Sequence, residues 1–428
     1  MRKVHDILSK HILADGYPLV MDLEKSNGSN LVDVNGDSYI DLFSMFASSP
    51  IGYNHPYILK NKDQLTQVAI NKLALSDVYP KEFADFLETF ERVAIPKGLD
   101  YCFFIDGGAL AVENALKAAF DWKTRLNFKK GIVKEAGKVI HFKDAFHGRT
   151  GYTLSLTNTS DPRKYALFPK FDWPRLEAPK VSYPLTPNTI QELEYQEIQT
   201  IEAIEDILKN SPNEVACVLI ETIQSEGGDN HFRDEFYIKL REICDKHQIL
   251  LVLDEVQSGM GLTGKTWAYQ HYSIVPDLIA FGKKTQVCGV LANREKMDQV
   301  DGHVFKESSR LNSTFGGNLV DMVRFKLILE VIESEKLIDN ASKMGDYLYK
   351  KLEKLLKKHQ DLSNLRGKGL MIAFDFTNSA KRDEFVQNAY NNKLLILGCG
   401  DKSIRFRPHL NVTKSTIDEA IKIIEKSL

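Results

Sequence analysis

The feature that most constrains this chain is a series of short, wholly apolar runs, each followed by polar or glycine-containing residues and alternating with longer helix-periodic segments. Tyr101 to Ile105, Val215 to Ile220, Ile249 to Leu253 and Leu278 to Phe281 are four to six residues long and rich in aliphatic, β-branched or aromatic side chains. Runs without polar alternation are buried on both faces, which is the habit of parallel strands joined by covering helices. The expected fold class is α/β with a mainly parallel sheet. In such sheets ligands sit beyond the carboxyl ends of the strands, so the residues that follow each run are where chemistry is expected.

At 428 residues the chain exceeds what one hydrophobic core usually supports. Asn27-Gly28 and Asn35-Gly36 punctuate short apolar stretches over residues 18–42 and predict a hairpin. From Asn318 a helical pattern runs through Leu329 and Ile332, followed by further helices and short strands ending in Ile404-Arg405-Phe406. These signals predict a large domain over 60–317 and a smaller α+β domain assembled from both chain ends, 1–59 and 318–428. Six prolines (162, 169, 174, 179, 184 and 187) predict an ordered surface excursion without regular structure over 160–190.

A formal net charge of −2 and no block of like charge give no global field for nucleic acid or an anionic membrane, so small molecules are the expected partners. The five cysteines, Cys102, Cys217, Cys244, Cys288 and Cys399, are scattered and include no Cys-x-x-Cys pair. They predict reduced thiols in a cytoplasmic protein and no metal site. Met1-Arg2-Lys3-Val4-His5-Asp6 is too polar to begin a signal peptide, and no stretch approaches transmembrane length.

Three segments after strand candidates carry chemistry. Asp106-Gly107-Gly108-Ala109 precedes the pattern Leu110, Val112, Leu116, Ala119 and offers backbone N–H groups at a helix start, where a phosphate binds. Asp254 ends Leu250-Leu251-Val252-Leu253, where a desolvated carboxylate needs a cation; the ring nitrogen of pyridoxal phosphate is such a cation. Lys283 and Lys284 follow Leu278-Ile279-Ala280-Phe281-Gly282, where burial lowers an amine's pKa and makes it nucleophilic. Spacing does not choose between the two lysines. A rival signal is Gly259-Met260-Gly261-Leu262-Thr263-Gly264-Lys265-Thr266, which satisfies the nucleotide-phosphate pattern G-x-x-x-x-G-K-[ST] of an ATPase or kinase. Such a loop leaves its strand directly and opens a long helix, yet here five residues separate Leu253 from Gly259 and Pro276 limits any helix that follows. The match is read as accidental.

Taken together, Asp254-Glu255-Val256-Gln257-Ser258-Gly259 and Pro276-Asp277 followed by Ile279-Ala280-Phe281-Gly282-Lys283 resemble the class III aminotransferases of pyridoxal-phosphate fold type I. Within the class the resemblance runs to the lysine 6-aminotransferases, through Gly107 to Asn114, Ala145-Phe146-His147-Gly148-Arg149, Lys283 to Gly289 and Arg310-Leu311-Asn312-Ser313-Thr314. It covers nearly the whole chain. It implies a seven-stranded sheet, Lys283 as the Schiff-base and proton-transfer lysine, and Asp254 as the partner of the pyridine nitrogen. It further implies Gly108 and Ala109 as the phosphate turn, Phe146 over the cofactor ring, Gln257 on its phenolic oxygen and in the substrate pocket, and Thr314 reaching a partner's phosphate across a homodimer interface. Arg149 and Arg405 match the family's carboxylate-binding arginines, Asn312 a pocket residue and Glu226 a switch carboxylate. Thr222 and His409 stand where the class often has proline.

The implied reaction moves the terminal amine of L-lysine to 2-oxoglutarate in a ping-pong cycle, giving 2-aminoadipate 6-semialdehyde and L-glutamate. Ornithine and 4-aminobutyrate are the alternative donors within the class. 2-Oxoglutarate brings two carboxylates to two arginines, whereas lysine reacting at its far amine brings one. Glu226 is therefore expected to neutralise Arg405 in one half-reaction and to swing aside in the other.

Overall fold

The computed structural model describes residues 4–428; Met1, Arg2 and Lys3 of the charged N-terminal stretch lie outside the described residues. All four apolar runs are strands, at Tyr101–Ile105, Val215–Glu221, Leu250–Asp254 and Leu278–Phe281. They belong to one seven-stranded sheet in which Tyr101–Ile105 is followed by Cys288–Ala292, Leu278–Phe281, Leu250–Asp254, Val215–Glu221, Lys138–Phe142 and Arg175–Leu176. Cys288–Ala292 runs antiparallel to both of its neighbours, and the other six strands share one direction. The central strands are buried along their whole length, which is why their sequences carry no alternation. Helix Gly108–Lys129 packs across one face with Ala111, Ala115, Ala118 and Trp122 buried, and Asp234–His247 covers the other.

The chain ends build two smaller sheets. Asn30–Val32 and Ser38–Asp41 pair as the expected hairpin, whose loop is fastened by the Asp33 carboxylate accepting from the Asn35 and Asp37 amides at 2.8 and 3.0 Å. Leu394–Leu395 adds in parallel to Ser38–Asp41, joining the two termini in one sheet. A four-stranded antiparallel sheet orders Leu362–Lys368, Met371–Phe376, Ser403–Phe406 and Leu397–Cys399. Helix Leu319–Ser334, capped by the Asn318 side chain on the Val320 amide, is apolar nearly all round because it packs along Lys81–Val93 and Lys62–Ala69. No helix among the described residues is long and apolar enough to cross a membrane.

The proline-rich stretch departs from expectation. It contains the turn Pro162–Lys164, the edge strand Arg175–Leu176 and the start of the long helix Pro187–Asn210. Pro162 and Pro187 occupy first-turn positions, where a missing N–H costs nothing and a fixed φ favours the turn.

The rival phosphate-loop pattern finds a packing explanation. A Cβ on Gly259 would stand 2.7 Å from the Trp267 ring, and one on Gly264 2.9 Å from the Ser342 side chain. The segment leads to a short 3-10 turn, Ala268–His271, and Lys265 is exposed. Its glycines let helix Leu337–Leu356 approach.

That helix approaches a second backbone as closely. A Cβ on Gly345 would fall 2.1 Å from the Gly369 carbonyl oxygen, in the turn between Leu362–Lys368 and Met371–Phe376. Gly345→Ala is expected to lower the denaturant midpoint by the equivalent of about 2 kcal/mol or more, at unchanged slope, although alanine is the better helix former. An unchanged midpoint would refute the close packing.

Candidate active site

The shared direction of six strands sends their carboxyl ends to one edge of the sheet, and a cavity of about 320 Å³ lies there. Gly108, Ala109, Phe146, Arg149, Glu226, Asp254, Gln257 and Lys283 line it. Eight residues singled out from sequence, spread over 176 positions (108 to 283), thus face one space. Gly108 and Ala109 open helix Gly108–Lys129, so the first free N–H groups and the positive end of its dipole border the cavity.

Parallel register sets Glu221 beside Asp254, and Asp254 beside Ala280. Asp254 Oδ1 accepts the Val256 amide at 3.0 Å, and Oδ2 lies 2.8 Å from His147 Nδ1. A carboxylate only accepts, so Nδ1 of His147 carries the proton; His147 Nε2 is buried without a partner. Glu221 accepts from the Phe146 amide at 2.9 Å and from Ser225 at 3.0 Å. Burial pushes its carboxyl up to about 7, with the Asp254 charge adding to the rise and His147 opposing it. His147 and Glu221 are the members of this edge that sequence reasoning missed. His147 lay inside a quoted motif, and Glu221 stands one residue past a predicted strand.

The structure separates the two lysines. Lys283 has a left-handed backbone, φ +55°, and its side chain lines the cavity. Burial, then the nearby Arg405 charge, lowers its amine below the ordinary lysine range despite Asp254 and Glu226. Lys284 is buried in the core, where its Nζ donates to the Gln257 carbonyl at 2.5 Å. The Gln257 side chain is oriented too, because its Oε1 accepts from Arg407 Nε at 3.0 Å, leaving the amide N–H groups to the cavity.

Two ion pairs bridge loop 226–229 and the strand Ser403–Phe406. Arg407 grips Asp229 with both terminal nitrogens, and both residues are buried. Arg405 Nη1 stands 2.7 Å from Glu226 Oε2, close enough for strong attraction but poorly aligned as a hydrogen bond. Asp41 accepts from the Phe43 and Ser44 amides, both at 2.7 Å, and steadies four successive left-handed residues, Ser44 to Ala47. That turn sets the Phe46 ring 5.8 Å from the Arg405 guanidinium. His409 supports the same place: its ring meets Tyr53 edge-on and its Nδ1 donates to the Ser49 carbonyl at 2.6 Å. Thr222 donates to Glu255 Oε1 at 2.9 Å. At both positions a polar side chain takes up a buried acceptor where proline would have supplied only shape.

Arg149 is exposed at the cavity mouth, 5.9 Å from the Phe146 ring centroid. Asn312 and Thr314 do not line the cavity of their own chain; they sit on an exposed loop where the Thr314 carbonyl accepts from Ser76 Oγ at 3.4 Å. Lys164 is a further residue that the sequence did not single out. Its Nζ donates to Glu226 Oε1 at 2.5 Å.

Comparison with known proteins gives the site its context. Residues 12–428 match the family described as Aminotransferase class-III. The L-lysine-epsilon aminotransferase of Mycobacterium tuberculosis is 47% identical over 100% of this chain and 95% of its own length. The 4-aminobutyrate aminotransferase of Emericella nidulans is 34% identical over 100% of this chain and 87% of its own. A solved structure of the lysine aminotransferase from M. tuberculosis, in the internal aldimine form, superposes with a TM-score of 0.96 at 47% identity, covering 99% of this chain and 98% of that one. With a family match over almost its whole length and relatives of such identity, the chain belongs to the class III aminotransferases.

Proposed function

We propose that the protein transfers the terminal amino group of L-lysine to 2-oxoglutarate with pyridoxal phosphate as cofactor, forming 2-aminoadipate 6-semialdehyde and L-glutamate. One observation carries the reading: a single cavity is lined by the desolvated amine of Lys283, the carboxylate of Asp254, and the Glu226 carboxylate that neutralises Arg405. The substrate assignment is also supported by the 47% identity to an L-lysine-epsilon aminotransferase, against 34% to a 4-aminobutyrate enzyme.

The cavity's donor set fits pyridoxal phosphate. The helix start at Gly108 and Ala109 offers N–H donors to a phosphate, Gln257 has amide donors free for a phenolate, and Asp254 can hold a protonated ring nitrogen. When bound, the cofactor supplies a carbonyl that captures amines and a ring that withdraws electrons. The protein does the rest. Burial lowers the Lys283 amine below the ordinary lysine range, which favours its nucleophilic neutral form; its Nζ would hold the cofactor's carbonyl carbon and would carry a proton to and from the carbon that bears nitrogen. His147, donating to Asp254, fixes that carboxylate's orientation. Phe146 covers one side of the space, and Arg149 receives the carboxylate of lysine in its planar fork.

Arg405 decides what lies at the far end. Its side chain is 4% exposed, so leaving it without a counter-charge is strongly unfavourable. Glu226 meets that need while lysine is bound; the second carboxylate of 2-oxoglutarate meets it in the other half-reaction. Asn312 and Thr314, outside their own chain's cavity, would serve the cavity of a second copy in a homodimer, with Thr314 on its phosphate. Five unpaired cysteines suit a reducing cytoplasm.

Lys283→Ala is expected to abolish the visible absorbance of the cofactor–protein linkage and to cut amino transfer by about a thousandfold or more, whereas Lys265→Ala leaves both intact. Retained linkage absorbance in Lys283→Ala would overturn the assignment. Glu226→Ala is expected to slow single-turnover reaction with L-lysine roughly tenfold to a hundredfold more than that with L-glutamate, through the uncompensated charge on Arg405. In a donor panel scored by glutamate formation, lysine should exceed ornithine and 4-aminobutyrate. Equal losses in the two half-reactions would remove the switch, and a better donor than lysine would change the substrate.

A further inference from the structure

Resting on that reading, we propose that Lys164 is the positioning residue that receives the Glu226 carboxylate when a dicarboxylate claims Arg405. Each oxygen of Glu226 already has its own cation, Oε1 with Lys164 Nζ at 2.5 Å and Oε2 with Arg405 Nη1 at 2.7 Å. The two cations differ in what happens when the carboxylate leaves. The Lys164 side chain is 18% exposed and keeps part of its hydration, whereas Arg405 at 4% depends on a fixed partner.

Space for the movement lies beside the cavity. A second, polar cavity of about 480 Å³ is lined by Asp161, Arg163, Lys164, Arg382, Gly400 and Asp401 among others, and Glu226 is the one lining residue that it shares with the first. The motion is confined to the side chain. The Glu226 carbonyl accepts from the Gly400 amide at 2.8 Å, and a Cβ on the next residue, Gly227, would stand 1.8 Å from the Asp144 carbonyl oxygen, so the backbone is held on both sides. Lys164 is held as well, at the end of the turn Pro162–Lys164, whose first amide is capped by the Asp161 side chain. A rotation of Glu226 about its own side-chain bonds therefore exchanges a shared carboxylate for one held by Lys164 alone.

The consequence is asymmetric. With lysine bound, Glu226 stays shared between Arg405 and Lys164, and Arg405 suffices to compensate its charge. With a dicarboxylate bound, Glu226 loses Arg405, and Lys164 keeps it from becoming an unpaired, half-buried charge. Removing Lys164 penalises only the second state.

The test uses the holoenzyme and glutarate, a dicarboxylate with no carbonyl to react, whose Kd is measured by calorimetry, alongside single turnovers with L-lysine and L-glutamate. Lys164→Met, which keeps the stem and removes the charge, should raise the glutarate Kd at least roughly fivefold and slow the L-glutamate reaction while the L-lysine reaction stays within about twofold. Lys164→Arg should restore the wild-type Kd. In the double variant Lys164→Met/Glu226→Ala the Kd should fall back, since no carboxylate has to be displaced; a Kd as weak as in Lys164→Met alone would mean that Lys164 touches the ligand directly and would overturn the proposal. So would an unchanged Kd in Lys164→Met, or equal losses in the two half-reactions. If Glu226→Ala alone separates the half-reactions and Lys164→Met does not, the switch stands and only the role of Lys164 falls. If Glu226→Ala does not separate them, the switch itself fails and the role of Lys164 with it.

Discussion

Asp229 and Arg407 are almost wholly removed from water, at 0% and 2% side-chain exposure, and each compensates the other's charge through two parallel contacts. Such a pair adds little net stability compared with apolar packing, but breaking it leaves a buried charge, so it pins the elements that carry it. Here those elements are the loop after Val215–Glu221 and the end of Ser403–Phe406. Three residues before Asp229 stands Glu226, and two before Arg407 stands Arg405. The buried pair holds in register the neighbouring pair, Glu226 with Arg405, to which substrate choice is assigned in the proposed function. Arg407 also fixes Gln257 through its Nε, so one guanidinium positions a cavity side chain and loop 226–229 together.

Lys283 reaches the cavity through a local backbone conformation. A left-handed residue costs on the order of 1 kcal/mol for any side chain with a Cβ and persists only where the surroundings over-determine it. At Lys283 they do. The strand Leu278–Phe281 fixes the chain before it, and the Lys284 amine is anchored in the core on the Gln257 carbonyl just after it. The reversal turns the side chains of two consecutive lysines away from each other, one into the cavity and one into the interior. Both are desolvated and both lie below the usual lysine range, so burial alone does not separate nucleophile from strut. What differs is position: the Lys284 amine is spent on the Gln257 carbonyl inside the core, whereas Lys283 lines the cavity.

The sequence made the sheet legible because buried parallel strands write themselves as unbroken apolar runs, and the positions after those runs had to be the site. It left Lys283 and Lys284 unresolved by spacing, since apolar runs encode burial and not a single left-handed φ; the class register points to Lys283, which is the one that lines the cavity. The phosphate-loop pattern at Gly259 to Thr266 arises by coincidence for a related reason. Glycine serves close packing and phosphate binding alike, and only the Ser342 and Trp267 neighbours tell which. Lys164 was invisible because it lies 62 positions from Glu226 in a stretch whose prolines suggested irregular surface chain. Nothing local marks a residue whose partner is set by tertiary folding.

On the proposed reading, the unequal burial of the cations around Glu226 gives the specificity its direction. A carboxylate shared by two equally buried cations would leave either one at similar cost, and neither substrate would be favoured. With Arg405 almost dry and Lys164 partly hydrated, the departure from Arg405 is the costlier one, and a ligand bringing a negative charge to that spot offsets it. In the proposed switch the same chain would accept a monocarboxylate and a dicarboxylate in turn without moving its backbone. The proposed switch needs only a side-chain rotation against two fixed points, the Gly227 approach to Asp144 and the Asp229–Arg407 pair. Rigid surroundings are what make so small a motion selective, because a loop free to relax would let water reach Arg405 and erase the difference between the two cations.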